Sequence, residues 1–393
     1  MKRLLLFTFY LLLFTSTLSA QRRYDEILRQ VEQNNPMLQA ARQKCEADRL
    51  EAHVGLLLPD PQVEVALFRG DPAEQGTRWD LRVTQSFELP SVYVRRARLR
   101  DLREHAAELD YQTLHNTLMH EAQLLCAELI YLRGVADVLD RQSSTAIRVM
   151  QVYEERMRKG DCSVLDYNRA QMNMADIQNR AGQAIIKYNE CYTDLCVLMG
   201  VEYCDFRQES YDTVIIPVDD PSWYDTVERR TPRLLALQNV IDTRQQELQL
   251  SRSLWLPSMS VGYASETVTG AAFRGLTVGM SLPIWSQPRA VRQAKVSLEA
   301  AQQELTGQRT MMLDETRCQM HRLIAIQHAL NEMRMKYVKY NSTALLDKAF
   351  EAGELNLEQY LLQKDFYIQQ ELALWDLAYE LEKGYIDLYS ITL

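Results

Sequence analysis

"RMRKGDCSVLDYNRAQ" spans Arg156–Gln171, and "KAFEAGELNLEQYLLQ" spans Lys348–Gln363. Each is a helical pattern stopped at one glycine, resumed by an acidic residue and followed by apolar positions. The two glycines, Gly160 and Gly353, stand 193 positions apart in a chain of 393 residues. Glycine tolerates the left-handed backbone that ends a helix, so each stretch reads as the turn of a helical hairpin. The same turn made twice, half a chain apart, points to internal duplication.

The repeat extends outward from both turns. "NNPMLQA" at Asn34–Ala40 is echoed by "RTPRLLA" at Arg230–Ala236, 196 positions on. "LLLPDPQVEV" from Leu56 is echoed by "LWLPSMSVGY" from Leu254, and "LRVTQSF" from Leu81 by "LTVGMSL" from Leu276, at offsets of 198 and 195. Order is kept throughout. Residues 21–203 form the first unit and 223–393 the second, each reading helix, strand, strand, long helix, turn, helix. The connecting segment, 204–222, holds "TVIIPVDDPS", an extended run closing on a helix start at Asp220 or Ser222.

The helices carry apolar seams. Leu118, Ala122, Leu125, Leu129, Leu132, Ala136 and Leu139 recur at steps of mostly four and three, and Leu323, Ile326, Leu330, Met333 and Tyr337 do the same in the second unit. That is heptad spacing, the pattern of coiled-coil packing. Residues 91–159 as one helix would span roughly 100 Å. The return helix and the N-terminal helix, 24 to about 57, laid end to end would match that length. In the second unit the corresponding helices are roughly 222–256 and 354–388 against 288–352.

Between the helices the pattern changes to period two. Strands are expected at about 61–70, 78–89, 258–266 and 274–285. Val63, Val65 and Leu67 share one face, as do Leu276, Val278, Met280 and Leu282, with polar or small residues between them. About ten residues of alternation suits a tilted strand with one face to lipid and one to a lumen. Phe68, Trp79, Phe273 and Trp285 lie toward the segment ends, where an aromatic girdle is expected. Four strands cannot close a barrel, and open edges do not persist in lipid, so the chain is expected to assemble as a ring. Three chains give about twelve strands, enough for an open lumen. A soluble sheet with one buried face is the alternative reading of the strands alone.

The first twenty residues have the order of a secretory signal peptide. Lys2 and Arg3 precede an apolar run, and Leu18-Ser19-Ala20 is a small-residue cleavage pattern, with the cut expected between Ala20 and Gln21. The formal charge is −9, or −11 once Lys2 and Arg3 are removed, and no basic block stands out, which argues against nucleic acid. Seven scattered Cys without a C-x-x-C read as small buried apolar residues, with a Cys191–Cys204 or Cys196–Cys204 bridge as the alternative. His, Met and glycine patterns match no metal site, cofactor box or catalytic motif, so neither an enzyme nor a cofactor is expected.

Taken together, the leader, the tandem unit, "LLLPDPQV" and "LWLPSMSV" entering the strands, and "KGDCSVLDYNRAQ" and "AGELNLEQYLLQ" at the turns resemble the TolC family of outer-membrane efflux ducts. The resemblance covers about 24–388. It implies a homotrimer whose twelve-stranded β-barrel sits in outer-membrane lipid and continues into an α-helical tunnel across the periplasm. It implies that the turns at Gly160, Asp161, Gly353 and Glu354 dock a periplasmic adaptor protein and an inner-membrane pump, with this chain as a passive, gated conduit. Candidate gate residues are Asp166, Arg169, Glu358 and Gln359. Asp166 stands six past its glycine as in the family, whereas the same offset in the second unit falls on Gln359 where the family has aspartate. The expected cargo is small molecules or metal cations. Protein secretion by the same duct, or a soluble periplasmic coiled-coil adaptor, are the competing readings.

Overall fold

The computed structural model describes residues 24–54, 56, 58–69, 76–214, 216, 221–268, 271–282 and 287–390. The leader with Ala20 and Gln21, and Trp285, lie outside the described residues. Along the chain run α1 (Asp25–Asn34), α2 (Pro36–Ala52), β1 (Gln62–Arg69), β2 (Thr77–Phe87), α3 (Pro90–Lys159) and α4 (Val164–Met199). The second half supplies α5 (Pro221–Arg230), α6 (Pro232–Ser253), β3 (Ser258–Val268), β4 (Ala271–Ser281), α7 (Gln287–Tyr340), α8 (Thr343–Glu351) and α9 (Leu357–Ser390). The order helix, strand, strand, long helix, turn, helix occurs twice.

Three helices expected to be continuous are divided, each for a local reason. Asn35 precedes Pro36, and a proline pushes the residue before it toward extended backbone. Asn35 is extended, and its Oδ1 accepts the Leu38 N–H at 2.9 Å, capping α2. Its Nδ2 donates to the Leu198 carbonyl at 2.6 Å, tying the break to the end of α4. Thr231 before Pro232 repeats the break between α5 and α6. Between α7 and α8, the Asn341 side-chain oxygen accepts the Thr343 N–H at 3.0 Å, a local turn that competes with the helix ladder.

The chain divides into two compact units that cut across the sequence repeat. One holds the described residues up to Gln39, Leu114–Val227 and from Met312 onward; the other holds Ala40–Thr113 and Glu228–Met311. In the first unit the expected seam is the core: Leu118, Ala122, Leu129, Leu132 and Leu139 are buried, with Ile27 and Val31 of α1 and Leu195 and Met199 of α4 packed on the same cluster as Ala122 and Leu129. A fully buried leucine stabilises by roughly 1.5–3 kcal/mol, so this seam, not helix propensity, holds the long helices. Two helix contacts are tight at glycine. A Cβ on Gly134 would run into the Trp375 ring, and one on Gly384 would lie 2.5 Å from Leu323 Cδ2, the far end of that side chain.

The second unit carries the sheet, flanked by helices. Arg42 Nε of α2 donates to Tyr111 Oη at 2.9 Å, Arg49 pairs with Glu108 at 3.2 Å, and Asn239 Nδ2 of α6 donates to the Leu102 carbonyl at 3.0 Å. The sheet is antiparallel, in the order β1-β2-β3-β4. Its register aligns Val63, Val83, Tyr263 and Leu276 in one row, and Val261 with Val278 and Met259 with Met280 in the next two on that face. Glu64, Arg82, Thr84, Gly262 and Thr277 fall on the other face. Gly262 is required there: a Cβ would sit 2.5 Å from the Val83 carbonyl oxygen.

Candidate functional site

The first hairpin turn begins where α3 ends in Arg156, Arg158 and Lys159, cations that complement the negative end of a helix. Gly160 adopts φ 74°. Its N–H donates to the Met157 carbonyl at 3.1 Å, and the Asp161 N–H donates to the Arg156 carbonyl at 2.8 Å. The second turn repeats this atom for atom. Gly353 has φ 77°, its N–H donates to Phe350 at 3.0 Å, and the Glu354 N–H donates to Ala349 at 3.0 Å. This double bond to the last carbonyls, with glycine left-handed, is the Schellman stop.

Each return helix then starts with a reciprocal cap, three residues past the glycine. Ser163 Oγ accepts the Asp166 N–H at 3.1 Å and donates to Asp166 Oδ2 at 2.7 Å. Asn356 Oδ1 accepts the Gln359 N–H at 2.8 Å, and Gln359 Oε1 accepts the Asn356 N–H at 3.3 Å. The second is a capping box, and the first closes through the serine hydroxyl in place of the backbone N–H. Asp166 and Gln359 therefore hold equivalent positions with one structural duty. The difference between aspartate and glutamine follows from the cap partner: a serine hydroxyl donates to a carboxylate, whereas the asparagine leaves its backbone N–H for an amide oxygen.

The two turns meet in the same compact unit. Val149, Tyr153, Ala170, Leu346, Leu357 and Tyr360 form their shared core, with Phe350 stacked on Tyr360 at 4.1 Å between ring centres. Arg169 and Glu358 join the return helices at 3.2 Å. Arg169 thus pairs with the other return helix, while Asp166, one helical turn before it, bonds to Ser163 within its own cap. Asp161 and Glu354 are exposed at the tips, as are Leu165 (80%) and Leu362 (74%).

A polar cluster beneath the tips has no counterpart among the expected site residues. Lys364 is buried, and its Nζ lies 2.7 and 3.0 Å from the two Asp347 carboxylate oxygens. The buried Tyr360 donates to the same carboxylate at 2.9 Å. Burial, then this bond to Asp347, holds the Tyr360 phenol above its usual range. The sequence did carry a hint: Leu357, Tyr360, Lys364 and Ile368 share a seam spacing, which places Lys364 inward.

The sheet offers a second candidate surface. Val63, Val65, Trp79, Leu81, Val261, Tyr263 and Met280 are exposed on one face, with Leu276 at 82% and Val278 at 73%. Ion pairs line the opposite face, Arg78 to Asp80 at 2.8 Å, Arg78 to Glu266 at 3.1 Å and Arg82 to Glu64 at 3.6 Å. The register corrects the aromatic girdle. Phe68 is paired with Arg78, whose guanidinium lies 5.6 Å from its ring centre, and Phe273 with Glu266, so both stand on the polar face. The reason is parity: a strand alternates faces, and both residues are one step out of phase with the apolar set. Trp79 remains on the apolar face. Among the described residues, no helix is long and apolar enough to cross a membrane, and no three His, Cys, Asp or Glu side chains converge as a metal site.

No family model matches the chain. No curated protein matches it either. Solved structures do. The outer-membrane channel OprN superposes with a TM-score of 0.80 at 18% identity, over 94% of this chain and 89% of that one. The CmeC outer membrane channel of Campylobacter jejuni gives 0.79 at 15% identity over 94% and 85%, and the outer membrane protein VceC of Vibrio cholerae 0.74 at 12% over 94% and 97%. At these identities the likeness establishes the fold: the chain has the fold of these channels, the TolC-like fold that its sequence resembles.

Proposed function

We propose that this chain is one protomer of a trimeric outer-membrane exit duct. One observation carries the reading: a four-stranded sheet with an apolar exposed face, a polar ion-paired face and, among the described residues, no strand on the outer edge of β1 or β4. In water the apolar face would be an aggregation surface, and in lipid the open edges would be untenable. Three copies joined edge to edge remove both problems, giving about twelve strands with lipid outside and a polar lumen inside. The solved channels of the same fold support this assignment, and the leader sequence supports export.

In this reading the helical hairpins build the periplasmic tunnel. The turns at Gly160–Asp161 and Gly353–Glu354 present the adaptor-docking tips, and an inner-membrane pump supplies the energy. The chain itself catalyses nothing and is a passive conduit. Its cargo is small molecules or metal cations, a class inferred from "EAGELNLEQYLLQ" at the second turn. Arg169 and Glu358 fasten the two hairpins of one chain near the tip, while Asp166 and Gln359 keep the turns in shape. The test is the mass of the detergent-extracted protein after outer membrane and periplasm are separated. A trimer found only with the outer membrane upholds the duct. A detergent-independent monomer in the periplasm replaces it with the soluble scaffold.

A further inference from the structure

We propose that Cys196 and Cys204 form a disulfide that the chain acquires on export, locking the turn at Gly200 back onto the end of α4. The inference rests on the exported location proposed above. It begins with a turn built like the two hairpin tips. Gly200 has φ 65°, its N–H donates to Val197 at 3.0 Å, and the Val201 N–H donates to Cys196 at 3.0 Å. No side chain fits at position 200, where a Cβ would lie 2.8 Å from the Asn34 carbonyl oxygen.

The chain leaving this turn doubles back on its own helix. Tyr192, one turn before Cys196, takes the Cys204 N–H at 3.1 Å and donates its hydroxyl to the Cys204 carbonyl at 2.8 Å. Both backbone polar groups of Cys204 are thereby clamped to α4. The clamp leaves the two sulfurs 3.6 Å apart, both buried. A disulfide requires about 2.05 Å, so the two sulfurs close by roughly 1.5 Å on forming it. The neighbouring thiols are held elsewhere. Cys191 Sγ is directed at the Leu125 carbonyl, 3.6 Å away, and Cys126 belongs to α3, outside the clamp that sets Cys204 against α4.

The chemistry is thiol–disulfide exchange with a protein thiol oxidase of the exported compartment. One cysteine thiolate attacks the oxidase disulfide, forming a mixed disulfide and releasing one oxidase thiol. The second thiolate attacks the mixed disulfide and expels the other oxidase thiol, so two protein thiols are oxidised and one oxidase disulfide is reduced. Timing follows from burial, which together with the Cys196 thiol pushes Cys204 up to about 11. A protonated, enclosed thiol is a poor nucleophile, so the exchange occurs while α1, α3 and α4 are still assembling. Once formed, the bridge is shielded from reductants by the same core.

The experiment uses the full chain taken from cells, denatured with N-ethylmaleimide and no reductant, then digested and mapped by mass. The expected result is five of the seven cysteines alkylated and a peptide bridging Cys196 and Cys204, about 2 Da lighter than its reduced form. In Cys196→Ala, Cys204 should become alkylated with no new bridge. Seven alkylated cysteines on a chain whose leader has been removed overturn the pair, as does a bridge from Cys204 to Cys191 or Cys126. Seven alkylated cysteines on a chain with its leader intact overturn the export reading instead. The pair is then decided on that chain, reduced and reoxidised in a glutathione buffer. A single Cys196–Cys204 product upholds it, and a mixture of pairings overturns it.

Discussion

Asp347→Ala would leave a buried ammonium without its acid. Lys364 side-chain exposure is 9%, and both of its short contacts go to Asp347, at 2.7 and 3.0 Å. The buried Tyr360 hydroxyl loses its acceptor in the same stroke. Removing one partner of a fully buried pair costs roughly 3–5 kcal/mol. The Asp347 side chain is 38% exposed, so water replaces part of what is lost, and about 2–3 kcal/mol is the appropriate range. At about 1.36 kcal/mol per decade, local opening at the tip becomes roughly 30–150 times more frequent. Hydrogen exchange read by mass on peptides from α8 and the first three turns of α9 measures this directly. The double variant Asp347→Ala with Lys364→Met removes the stranded charge and should regain most of the protection, leaving only the phenol unpaired. Exchange rates in Asp347→Ala within threefold of the parent would refute the reasoning, because they would mean that Lys364 reaches water without its partner.

Other perturbations test other parts of the same account. Val278→Arg places charge on the apolar face, at a cost of roughly 2–4 kcal/mol near a bilayer midplane, and should abolish trimer insertion, whereas Thr277→Arg on the opposite face should insert; equal insertion would mean the faces are reversed. Gly134→Ala drives a methyl into the Trp375 indole and should destabilise by about 1–3 kcal/mol, read as a lower melting temperature of the extracted oligomer, with Trp375→Leu in the same background restoring it. Arg169→Ala removes the link to Glu358. Both side chains are well exposed, so stability should change by less than about 1 kcal/mol, while single-channel conductance in a planar bilayer should rise if the pair restrains the tip; unchanged conductance removes it from the gate.

The duplication, the element order and the phase of every strand were written in the sequence, because they depend on local rules. Glycine at 160 and 353 takes the left-handed turn that other residues resist, heptad spacing marks the seam that Leu118, Ala122 and Leu129 bury, and period two separates Val278 from Thr277. Even the parity that moves Phe68 and Phe273 off the apolar face, the prolines that divide the leading helices and the seam position of Lys364 were legible there. What tertiary structure alone decided was pairing between residues far apart in the chain. Nothing local says that Arg169 takes Glu358 rather than Asp166, or that Lys364 finds Asp347. Side chains three or four residues apart are neighbours on any helix, so sequence spacing proposes partners within one element. Which of them yields to a closer partner on another element is settled only when the hairpins pack.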